Sequence, residues 1–263
     1  MCRKARHPTL LHSAPFALLQ AALLARPPMT TAAERRLITD LGRVRRFHQA
    51  RHDSPEVNAA LDRLALWQSR RLDATYADLR RDPRYAQAIA FFRGDLYGPG
   101  DFSRRDADLE RVVPVLMRML PQQVIETVAT VIELNALSQD LDRALLDHLG
   151  IDSALSVPAY CAAYQASANR HARVRQIALI LDVGRALDRY VRKPVLHRTL
   201  VLMRHPARIA GLSTLHNFLE RGFASFAQMR GAEYFLATIE ARETALMEAI
   251  IAGDRAPFAD PLA

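Results

Sequence analysis

A chain of 263 residues with 50% apolar and 24% charged side chains can bury a substantial core, which excludes disorder throughout. Its formal net charge of +8 has the sign expected of a nucleic-acid binder. However, Lys4 and Lys193 are the only lysines, an arginine bias typical of GC-rich coding, and four of the bases fall within the first 28 residues, so nucleic acid is disfavoured as a partner.

Residues 1–28 have a basic end followed by an apolar stretch, the outline of a signal peptide. His12, Ser13, Pro15 and Gln20 interrupt that stretch, and no small-x-small site follows. The segment reads better as a disordered or mis-assigned extension ahead of Met29. A first helix then runs from about Ala32 to Ala50, with Thr30 or Thr31 as its cap and Glu34 in the capping-box position. Ser54-Pro55 starts a second, whose apolar face holds Leu61, Leu64, Leu72, Tyr76 and Leu79 before Asp82-Pro83 ends it. A third spans about Arg84 to Tyr97 and stops at Gly98-Pro99-Gly100. Ser103 caps a fourth, with Asp106 in the capping-box position; Pro121 separates this from a long fifth that closes at Gly150. Ser156-Val157-Pro158 starts a sixth, and a seventh runs from near Asn169 to Pro194. Two short pieces flank Pro206, followed by helices over Ser213–Met229 and Ala232–Ala252. No stretch alternates long enough for a strand. The expected fold is all-α, a single-domain bundle of about nine to eleven helices over residues 29–253, with 254–263 as a flexible tail.

Charge is uneven along the chain. Asp95–Asp147 holds ten acids and five bases, whereas Arg170–Arg208 holds ten bases and two acids. Arg170, Arg173, Arg175, Arg185 and Arg189 are the candidate basic face, for a polyanion or a membrane surface. The plainer alternative is a solvated face paired internally with the acidic block. Several apolar stripes also carry a polar residue: Asn135 in the fifth helix, His216 and Glu220 in the penultimate one, Glu243 in the last. Buried polar groups require partners, so these four form a candidate polar pocket, unless each bonds nearby backbone. Gly184 lies within the stripe of Ile177, Ile180, Leu181 and Leu187 and would let a neighbouring helix approach closely.

No metal-ligand spacing, phosphate loop or nucleophile elbow is present, and neither a metal nor a cofactor is expected. Cys2 and Cys161 form no disulfide framework, which fits a reducing cytoplasm, and no segment reads as a membrane span.

The run Phe91-Phe92-Arg93-Gly94-Asp95-Leu96-Tyr97-Gly98-Pro99, continued by Asp101-Phe102-Ser103-Arg104-Arg105-Asp106-Ala107-Asp108-Leu109, resembles the bacterial family named after an FFLEELY motif, a domain of unknown function. Arg93-Gly94-Asp95 stands where that motif has Leu-Glu-Glu. The resemblance implies a bacterial cytoplasmic protein and no particular reaction. The corner it marks offers Tyr97, Asp101, Arg104, Arg105 and Asp108 as a candidate interaction surface. The leading expectation is a non-enzymatic helical binding protein whose partner is another protein or a second copy of the chain, as a homodimer. The alternatives are a bundle holding a small molecule or haem-like cofactor, and a binder of polyanions or membrane surfaces.

Overall fold

A computed structural model of the chain describes residues 31–96, 103–119 and 121–261. The elements in order are α1 (Ala32–Asp53), α2 (Pro55–Thr75), α3 (Ala77–Arg81), α4 (Ala86–Phe91), a π-helical turn (Phe92–Leu96), α5 (Ser103–Met119), α6 (Gln122–Leu149), α7 (Val157–Ala166), α8 (Arg170–Val191), α9 (Pro194–Leu202), α10 (Arg204–Ile209), α11 (Ser213–Met229) and α12 (Glu233–Ile251). No strand occurs among the described residues, and the architecture is the expected all-α bundle. The extension ahead of Met29, Tyr97 and Asp101 lie outside the described residues.

Local chemistry sets the helix ends. Thr31 accepts from the Glu34 amide while Glu34 accepts from the Thr31 amide, the reciprocal capping box. Ser54 accepts from the Val57 amide, and Pro55 fills the first helical position, where no amide donor is required. Gly150 ends α6 at φ 83°, where a side chain would be strained. The second expected helix divides in two. At Tyr76 the backbone (φ −112°, ψ 26°) leaves the helical region, and α3 restarts after it.

The α6 helix is the spine. α1 packs along it through Leu37, Leu41, Ala129 and Ile132, joined by Val113 of α5, and α2, α7 and α8 pack against its other faces. Two larger apolar clusters flank this layer. One joins Tyr76, Tyr85, Ile89, Leu181, Phe226, Phe235 and Ile239 from α3–α4, α8, α11 and α12. The other joins Leu64, Trp67, Leu145, Tyr160 and Ile250 from α2, α6, α7 and α12. Burying each such side chain contributes about 1.5–3 kcal/mol. Gly184 does allow a close approach, because a Cβ there would sit 2.4 Å from Leu236 Cδ2. After α12 the chain is irregular, yet Phe258 lies edge-on to Trp67 and Tyr160, with centroids 5.7 and 6.2 Å away.

The π-turn also has a packing cause. A π-turn inserts an extra residue into the helix, which shifts the face that the residues after it present. Here it lets adjacent Phe91 and Phe92 serve different neighbours: Phe91 meets Phe218 of α11 at 5.3 Å, and Phe92 meets Phe235 of α12 at 5.7 Å. Gly222 makes room for the first contact, since a Cβ there would be 3.0 Å from Phe91 Cζ.

Candidate functional site

Where the two large clusters meet, five helices turn polar positions of otherwise apolar stripes toward one another. α2 contributes Gln68 and Arg71, one helical turn apart. α6 contributes Ser138 and Asp142, α7 Tyr160 and Tyr164, and α8 Arg173 and Gln176. α12 contributes Glu243 from the stripe of Phe235, Ile239 and Ile250. Ile89, Phe92, Ile177 and Ile180 complete the wall of a cavity of about 100 Å³. Arg93, half exposed and paired with Asp73, marks its rim.

The polar lining is organised around two buried arginines. The Arg71 guanidinium grips Glu243 through both terminal nitrogens, each at 3.1 Å, and the Tyr76 hydroxyl donates to the same carboxylate at 2.8 Å. Burial penalises the Arg71 charge, but Glu243 outweighs it and raises the arginine's pKa. Arg173 is 6% exposed and stacks on the Tyr164 ring, 4.4 Å from its centroid. Its Nη1 donates to Gln176 Oε1 at 3.3 Å, and Gln176 donates to Ser138 Oγ at 2.8 Å, which ties α8 to α6. Nε and Nη2 of Arg173 are buried with no hydrogen-bond partner in the protein, as is Nε of Arg71. Gln68 donates to Asp142 at 2.9 Å. Burial nonetheless pushes the Asp142 carboxyl above the usual range, against that bond and the charges of Arg173 and Arg51. Burial likewise raises the Tyr160 and Tyr164 hydroxyls and pushes the Cys161 thiol up to about 11, so none of the three is an activated nucleophile.

The expected polar pocket is distributed over three places. Glu243 lines the cavity. Asn135 donates to Asp106 at 3.1 Å and accepts from Gln139, beside a wider surface groove of about 620 Å³ between α1, α2 and α5. In that groove His48 and Asp106 are 2.8 Å apart, Arg51 pairs with Asp62, and Arg45 pairs with Glu110, so its charges are largely compensated. His216 and Glu220 are 3.4 Å apart on α11, with Arg204 on Glu220.

The expected basic face is largely tied to acids of the same chain. Arg170 pairs with Glu248, Arg175 with Glu133, and Arg185 with Asp182 and Glu240. Arg189 is exposed, and Arg173 is in the core. Of the corner residues, Arg104 is exposed, while Arg105 covers the Phe218 ring and Asp108 is 7% exposed. Among the described residues, no group of His, Cys, Asp and Glu is placed to hold a metal, and no helix is long and apolar enough to cross a membrane.

A family model described as Domain of unknown function (DUF8198) matches residues 47–257. The chain belongs to this family. The matched span covers the whole cavity lining, from Gln68 to Ile250, so the converging polar residues lie within the DUF8198 domain itself. It also takes in Phe258's anchor, Trp67, but stops one residue short of Phe258. No curated protein and no solved structure matches the chain.

Of the cavity lining, the sequence marks Glu243 as a polar residue within an apolar stripe and places Arg173 on the basic face instead. A signal for Arg173 was present, four residues before Ile177 on the same stripe. Arg71 likewise adjoins Leu72 on the face of Leu64 and Tyr76.

Proposed function

We propose that this DUF8198 chain is a non-enzymatic binding protein that encloses a small molecule between α2, α6, α7, α8 and α12. The observation behind this reading is the cavity, where charged and aromatic groups from five helices converge instead of a dry apolar seam. Catalysis is disfavoured, because the two carboxyls there are held by Arg71 and Gln68 and no activated nucleophile lines the wall. The bacterial, cytoplasmic character and the FFLEELY kinship implied by the Phe91–Leu109 run belong to the same proposal. Native mass spectrometry of the protein purified from its source tests it. Excess mass that is lost on denaturation, and absent when Ile177→Trp fills the cavity, supports the reading. A bare chain that also gains no stability from any small molecule overturns it.

A second reading rests on a separate observation. α9 has no buried residue and α10 only Ala207, while Val195, Leu202 and Ile209 are 66%, 78% and 74% exposed. Between Asp188 and Glu220 the chain has six bases and no acid. Basic helices that show apolar side chains to solvent suit an anionic bilayer surface. Flotation with phosphatidylserine-containing vesicles, reduced in Leu202→Glu/Ile209→Glu, is the expected result. Recovery unaffected by these substitutions would refute it.

A further inference from the structure

The reading of the cavity as a ligand site can be taken further by asking what its uncommitted donors would accept. Nε and Nη2 share one edge of the guanidinium plane, and in Arg173 both lack a partner within the protein while the residue is 6% exposed. A side-on arginine edge is a two-pronged donor whose spacing matches the two oxygens of a carboxylate or phosphate. Burying this edge unpaired is costly, because a guanidinium taken from water must recover its hydrogen bonds elsewhere. Arg173 is also held rigidly for the purpose. The Tyr164 ring supports one face of the guanidinium, and Gln176 takes the remaining nitrogen and is in turn fixed by Ser138.

The surroundings set the ligand's charge and body. Arg71 is paired directly with Glu243, whereas Arg173 makes no ion pair and feels Asp142 only through space. Two carboxyls, Asp142 and Glu243, line the same cavity and oppose a dianion. Apolar side chains, among them Ile177, Ile180 and Ile239, also face the space. A dry cavity of about 150 Å³ accepts a benzene ring, so 100 Å³ accommodates roughly four to six non-hydrogen atoms.

We propose that the cavity binds a small monocarboxylate with an apolar body, its carboxylate held bidentately on the Nε–Nη2 edge of Arg173. This rests on the cavity being a ligand site, and the experiment separates failure of the two ideas. Butanoate, its uncharged analogue butanamide, and inorganic phosphate are titrated calorimetrically into the full chain and into Arg173→Met and Arg173→Lys. Methionine keeps the apolar stem and removes the charge, and lysine keeps the charge and removes the fork.

Butanoate binding to the unmodified chain, weaker by about 10- to 100-fold in Arg173→Met and intermediate in Arg173→Lys, is expected. Butanamide should bind at least tenfold more weakly than butanoate, a comparison made on the unmodified chain that stands even if a variant misfolds. Butanamide binding as tightly as butanoate would overturn the carboxylate assignment and leave the cavity as a ligand site. Phosphate binding more tightly than butanoate would overturn the charge argument. No binding of any probe, with Arg173 satisfied by water alone, would overturn this proposal; the cavity reading would then rest on the mass measurement.

Discussion

The Arg71–Glu243 pair gives a direct measure of how the core tolerates its charges. Arg71 and Glu243 side chains are 10% and 18% exposed, joined by two hydrogen bonds, with Tyr76 as a third donor to the carboxylate. Replacing Glu243 with Met removes the counter-charge and leaves the buried guanidinium uncompensated, a change that typically costs about 3–5 kcal/mol. Arg71→Met exposes the opposite defect, a carboxylate retaining only Tyr76, and should cost about 2–4 kcal/mol on the same physics. The double variant removes both charges and fills the space with two apolar side chains of suitable length. Loss of the Tyr76–Glu243 hydrogen bond is common to Glu243→Met and to the double variant, so it drops out of the comparison. We expect the double variant to lose about 1–2 kcal/mol, with a coupling of at least about 2 kcal/mol in the cycle. Trp67 is the only tryptophan and packs on Tyr160 of the cavity wall at 4.6 Å, so urea unfolding followed by its fluorescence reads each stability. If the two single losses add to that of the double within about 0.5 kcal/mol, the pair is not the buried, mutually compensating unit described here.

Three further outcomes follow from other parts of the fold. Gly184→Ala should lower stability by about 1–2 kcal/mol, because a Cβ 2.4 Å from Leu236 Cδ2 overpacks a buried contact by more than the ~1 kcal/mol helix advantage of alanine; a more stable variant would show that Leu236 can move aside. Phe258→Ala should shift Trp67 emission to the red and cost about 1–2 kcal/mol, while unchanged emission would place Phe258 away from the indole in solution. Burial opposes ionisation of Asp106, but the His48 hydrogen bond and the Arg105 charge outweigh it and hold the carboxyl below the usual aspartate range. A depressed folded-state pKa stabilises above the unfolded value of about 4 and is lost as pH falls through the folded value. The acid limb of the stability profile should therefore flatten in Asp106→Asn, and an unchanged limb would contradict the assignment.

The sequence made much of this bundle legible because helix ends are decided locally. Thr31 with Glu34, Ser54 with Pro55 and Gly150 each place a boundary through contacts within a few residues. The break at Tyr76 and the π-turn at Phe92 were not legible in this way. Both depend on what packs against the segment from far along the chain: Glu243 on the Tyr76 hydroxyl, and Phe218 and Phe235 on the two phenylalanines. The candidate site shows the same division. A polar residue within an apolar stripe was visible at Glu243 because apolar residues flank it on both sides in sequence. Arg173 sits near the start of α8, where an arginine before the first apolar turn reads as the solvated end of a helix. Only the rotation of α8 against α6 and α7, set by side chains about forty residues apart such as Ser138 and Gln176, turns it inward. Periodicity reports which face of a helix is buried, but not what the neighbouring helix brings to that face.

That placement has a consequence for how binding and folding are linked. The groups lining the cavity come from five helices that contribute to two apolar clusters, so a molecule held there touches both clusters, which α12 already links. Its binding energy is therefore added to the stability of the whole domain rather than to one loop. At a hundred times the dissociation constant the gain is about 2.7 kcal/mol by mass action, comparable to the cost of stranding Arg71. The α9–α10 segment, with almost nothing buried, lies outside this linkage. Amide exchange should accordingly slow in α2, α8 and α12 when the cavity is filled and stay unchanged across Pro194–Ile209. Uniform slowing of both regions would mean that α9 and α10 are coupled to the core in a way their exposed side chains do not suggest.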